Sequence, residues 1–244
     1  MSSMPHQKLP ILPEHLLAMR QYLDLDNEFD IAVWACILFL RKSNMVPTSR
    51  HKFLPQEQLR RMDISFAVQG LMLHTQWSKT RQKHDFWHVI PVAKIPNSVI
   101  CPVTAYCNML IHIPASAASP AFVYSHSGSL TPLTSHALTR KFRSLVIDIG
   151  LDPLNYTVHG LRRGGATLAA AAGVSDHLIK AHGDWKSLAY RGYIALPPSF
   201  RFFDHPGYGQ YFQLLDSYLK SISALISNFK LVFSIPCCLE RPLC

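Results

Sequence analysis

The chain concentrates chemistry-bearing residues in one stretch, Val158–Leu196, which reads VHGLRRGGATLAAAAGVSDHLIKAHGDWKSLAYRGYIAL. It holds His159 three residues before Arg162, then Trp185, then Tyr193. Two further cations stand out upstream: Arg41 in Phe39–Asn44 (FLRKSN) and Lys79 in Trp77–Thr80 (WSKT). Arginine clamps anionic oxygens bidentately, which lysine does less well. Lysine and histidine carry protons, and a tyrosine hydroxyl can serve as a nucleophile. Each residue also has an ordinary reading when taken singly. Arg41 follows an apolar run and would suit a helix-end cation. Lys79 shares a polar turn with Arg81 and Lys83, the usual composition of a solvated turn. A lone histidine is more often structural than catalytic, and a lone tryptophan is more often core.

Taken in order, these pieces resemble the tyrosine recombinases, which include phage integrases, site-specific recombinases and transposon recombinases. The features that carry the resemblance are the H-x-x-R of His159 and Arg162, the following A-G-V-S, the G-x-W of Gly183–Trp185, and Tyr193 before Ile194. The G-D-W before the tyrosine is most similar to the Crypton group of mobile elements. FLRKSN resembles the segment of the family's first arginine, which makes Arg41 its candidate, and WSKT the β-hairpin lysine, which makes Lys79 its candidate. The resemblance implies DNA cleavage and rejoining through a 3′-phosphotyrosyl link, without a metal or cofactor. Arg41 and Arg162 would stabilise the pentavalent transition state, a role typically worth several kcal/mol per donor. Tyr193 would be the nucleophile and Lys79 the acid that protonates the 5′-oxygen. His159 would assist proton transfer, and Trp185 would donate its indole N–H to the scissile phosphate. Two assignments keep alternatives: Tyr190 is the second candidate nucleophile, and His182, three before Trp185, the second candidate for the Trp185 position.

The elements that must hold these residues are mostly helical. Pro13 to about Leu40 has a helical pattern, with Ile31–Leu40 almost wholly apolar. Asp63–Val68, Leu71–Gln76 and Trp87–Pro91 are β-prone, and the polar, basic Ser78–Asp85 suits a hairpin turn. Pro102–Ile113 is expected to be a helix, Pro114–Pro120 a linker and Ala121–Tyr124 a short strand. Leu133–Ile149 is a basic amphipathic helix followed by Gly150, a C-terminal stop. Leu161–Ala172 is Ala-rich and helical, and Ser175 starts another helix through about Ala181. The expected class is α+β, mostly α, with a small antiparallel sheet: the tyrosine recombinase catalytic core. The expected layout is an N-terminal extension over residues 1–12, the catalytic domain over 13–198 and a tail over 199–244.

Composition supports this reading. Hydrophobic residues make up 48% of the 244, enough for a sizeable core. The net charge is +9, and the first thirty residues oppose two basic side chains to five acidic ones, so the basic excess lies in the remainder. That excess points to a polyanionic partner, and the resemblance implies that it is double-stranded DNA. The six cysteines have no paired metal-ligand spacing. Met1–Pro10 lacks the apolar segment of a signal peptide, and no run of about 18 apolar residues suggests a membrane span. The expected setting is intracellular and DNA-associated, not secreted; the Crypton resemblance implies the nucleus, and the family a homo-oligomer, a synaptic tetramer on DNA. No small-molecule substrate is expected. Two other functions share these residues: a domesticated or truncated DNA-binding module that has lost catalysis, and a type IB topoisomerase.

Overall fold

The computed structural model describes residues 8–39, 45–75, 88–171, 174–183, 185 and 187–194. Helix α1 (Pro13–Arg20) opens with proline at its first turn, where no intrahelical N–H is needed. Leu12 N donates to His15 Nδ1 at 3.1 Å, closing that end. Burial holds the His15 pKa below its ordinary value, which favours the neutral ring that can accept this bond. Helix α2 (Glu28–Leu38) is capped by Asn27, whose side chain accepts from the N–H groups of Phe29 and Asp30. Every residue from Asp30 to Leu38 is buried, so α2 is the axis of the core. The helical pattern expected to run from Pro13 to about Leu40 is therefore two helices. The break falls where Asp24 and Asn27 offer side-chain oxygens to backbone N–H groups.

A 3-10 turn, Arg61–Asp63, leads into strands β1 (Ile64–Ala67), β2 (Gly70–Thr75) and β3 (His88–Ala93). They form an antiparallel sheet in the order β1-β2-β3, with Ile64 opposite Leu73 and Leu73 opposite Ile90 on the core side. Helix α3 (Pro102–His112) packs on α2, where Phe39, Tyr106 and Phe122 meet ring against ring at 5.3–6.2 Å. A second sheet, unexpected from the sequence, pairs β4 (Val123–His126) with β5 (Ser129–Pro132). Its turn places both Ser127 and Gly128 at positive φ, the two-residue turn that matches strand twist. Helix α4 (Ser135–Asp148), capped by Thr134, is tied to α2 by Lys141 and the buried Asp30 at 2.8 Å. Gly150, at φ +77°, closes it as expected.

Helices α5 (His159–Ala171) and α6 (Asp176–Gly183) and a 3-10 helix, Leu188–Tyr193, follow. These three pack on one another around a separate small cluster of Ala166, Ile179 and Tyr190, joined by Trp185 and Ile194. The architecture is α+β and mostly α, with small antiparallel sheets.

Candidate active site

Helix α5 has two working faces. On one, Gly160, Arg163 and Gly164 meet residues 8–11, which lie against the helix as a strap. Ile11 N donates to the Gly160 carbonyl at 2.9 Å, and Leu9 N to the Asn155 carbonyl at 2.8 Å. Arg163, only 8% exposed, donates to the Lys8 carbonyl. Both glycines are required by this approach. A Cβ on Gly160 would lie 2.7 Å from the Leu9 carbonyl oxygen, and one on Gly164 would collide with the Ile11 backbone.

Arg162 and Ala166 project from the other face toward α6. His159 stands on the turn before Arg162, exposed at the first position of α5. Arg162 is half-buried, and its guanidinium is held at the end of α6. One guanidinium nitrogen donates to the Gly183 carbonyl at the end of α6, and the guanidinium carbon lies 4.3 Å from the Trp185 ring centre. Such stacking is worth roughly 0.5–2 kcal/mol, depending on desolvation. A side chain at Gly183 would run into the Trp185 ring, so the G-x-W spacing lets one turn offer both the carbonyl and the ring. A guanidinium oriented in this way is a preorganised donor for a phosphate oxygen.

The 3-10 helix lies against the same group. Tyr190 is 1% exposed, and its ring centre is 5.9 Å from that of Trp185. Tyr190 and Arg191, beside the Asp176 carboxylate, hold its pKa below the ordinary carboxylate value. Arg191 reaches Asp176 Oδ2 through Nε at 3.2 Å and Nη2 at 2.7 Å.

The structure thus brings Arg162 and Trp185 into contact and sets His159 one turn away. Tyr193 is the last residue of the 3-10 helix packed on α5 and α6. Arg41 and Lys79 lie outside the described residues. The ring beneath Arg162 is that of Trp185, while His182 is exposed near the end of α6. Asp176, Arg163 and the glycine pair were not singled out from sequence. The four-residue spacing of Gly160 and Gly164 was the one signal that could have shown a close backbone approach.

No protein-family model matches the chain, and no curated protein does. Among solved structures the chain is similar to the XerH site-specific recombinase, seen bound to a palindromic difH substrate in a post-cleavage complex. The TM-score is 0.56 at 17% identity, over 82% of this chain and 53% of that one. The chain therefore spans about half the length of that recombinase and shares its fold.

Proposed function

We propose that this chain cleaves and rejoins double-stranded DNA as a tyrosine recombinase, in recombination or integration of a Crypton-like mobile element. The observation that carries the reading is the fixed Arg162 guanidinium, seated between the Gly183 carbonyl and the Trp185 ring beside the helix that ends at Tyr193. The sharing of a fold with a DNA-bound site-specific recombinase supports it. In this mechanism the Tyr193 hydroxyl oxygen attacks the scissile phosphorus and the phosphorus–O5′ bond breaks. The phenolic proton departs with help from His159, and Lys79 protonates the leaving 5′-oxygen. Arg41 and Arg162 balance the negative charge of the pentavalent state, a task that needs donors in place before the reaction. Rejoining is the reverse: a 5′-hydroxyl attacks the phosphotyrosine and regenerates the tyrosine, so no external energy source enters. The working form would be a homo-oligomer assembled on DNA, in the nucleus.

The test is a covalent-adduct assay with nicked duplex oligonucleotides made from the DNA flanking the coding element. The expected result is a denaturant-stable protein–DNA adduct that persists in EDTA and is lost in Tyr193→Phe. Arg162→Ala should lower its rate by roughly 10²–10³, the usual cost of removing one oxyanion donor. Salt-sensitive DNA binding without any adduct would contradict the enzyme and favour a binding module.

A further inference from the structure

We propose that Tyr190 is a positioning residue that couples the 3-10 helix ending at Tyr193 to the Arg162 guanidinium, with Asp176 as its anchor. This rests on the recombinase reading above. A continuous row of contacts carries it. At one end the Asp176 carboxylate, on the first residue of α6, accepts from Nε and Nη2 of Arg191, the residue next to Tyr190 in the 3-10 helix. The Tyr190 ring then fills the small cluster with Ala166 and Ile179 and lies 5.9 Å from the Trp185 ring, tilted by 41°. At the far end Trp185 underlies Arg162, which donates to the Gly183 carbonyl.

The physical reason for such an anchor is the weakness of the element it holds. A six-residue 3-10 helix has poor hydrogen-bond geometry and depends on tertiary contacts. The Asp176–Arg191 pair is more than half exposed and would hold little alone. The fully buried Tyr190 ring is the part that fixes position. A displacement of the nucleophile's helix must therefore move the ring beside Trp185, and with it the surface on which Arg162 rests. Nucleophile segment and phosphate clamp are set together.

Three variants test this: Tyr190→Phe keeps the ring and loses the hydroxyl, Tyr190→Leu loses the ring, and Asp176→Asn weakens the anchor. The readouts are single-turnover adduct formation on the nicked duplex, affinity for the same duplex, and hydrogen exchange of residues 188–193 in DNA-free protein. Tyr190→Leu should slow adduct formation by about tenfold or more while affinity stays within about twofold. Tyr190→Phe and Asp176→Asn should each slow it several-fold, and their double variant no further than the worse single, because both act on the same anchor of the 3-10 helix. Exchange at 188–193 should quicken in all three, with α1–α4 unchanged. Unchanged rates with unchanged exchange would overturn the proposal. So would equal losses of rate and affinity in Tyr190→Phe, which would mark a general structural role. If the wild-type chain forms no adduct, the recombinase reading fails separately, and unaltered exchange at 188–193 would then overturn the coupling by itself.

Discussion

Arg162 and Arg163 are adjacent, chemically identical, and put to different uses. The turn of about 100° per residue along α5 sends one guanidinium to Trp185 and the other to the Lys8 carbonyl. Residue type cannot rank the two, and the three-residue step from His159 selects the one that meets Trp185. Asp176 makes a separate, pH-dependent contribution at this scale. Its carboxyl is held below the ordinary value first by the neighbouring Tyr190 hydroxyl and then by Arg191. A depressed folded-state pKa adds stability above the unfolded value, and that addition is lost as pH falls through the folded one. The difference in urea midpoint between wild type and Asp176→Asn should therefore be constant around neutrality. It should shrink only below about pH 4, the ordinary range of an aspartate. A difference that grew on acidification would contradict the assignment.

At the scale of elements, α5 works because it is narrow on one side. Gly160 and Gly164 let the strap of residues 8–11 lie against the helix backbone, and Arg163 fastens it. Gly164→Val would force the Ile11 backbone outward and should destabilise the fold by about 1–3 kcal/mol in urea denaturation, as overpacking does. An unchanged midpoint would show that the strap yields at no cost. The elements that sequence shows well are those with strong patterning. Strands β1, β2 and β3 and helices α3, α4 and α6 fall within a few residues of their expected places. Strand β5 leaves little trace in sequence because Ser129–Pro132 is short and half exposed, with its meaning set by the Ser127–Gly128 turn. The split between α1 and α2 was hidden because apolar residues recur on both sides of the Asn27 cap. At the site, the contact between Arg162 and Trp185 joins residues that local motifs had marked. The Asp176–Arg191 link spans fifteen residues and leaves no periodic trace, and residue type leaves Tyr190 open as a nucleophile or a structural tyrosine.

For the whole molecule, the division into a large core around α2 and a small cluster around Tyr190 places the Trp185 ring that underlies Arg162 on the smaller body. The large one supplies the strap and the basic helix α4, whose His136, Arg140 and Arg143 are exposed on one face. If that face lies along DNA, Arg140→Gln and Arg143→Gln should each lower the slope of log affinity against log salt by about one. Slopes equal to wild type would place the DNA elsewhere. The central claim concerns which atom joins the protein to DNA. Peptide mass spectrometry of the nuclease-trimmed adduct addresses it directly. The account predicts a nucleotide remnant on the Tyr193 side chain, with Tyr190 unmodified; a remnant on Tyr190 or on any other residue would contradict it.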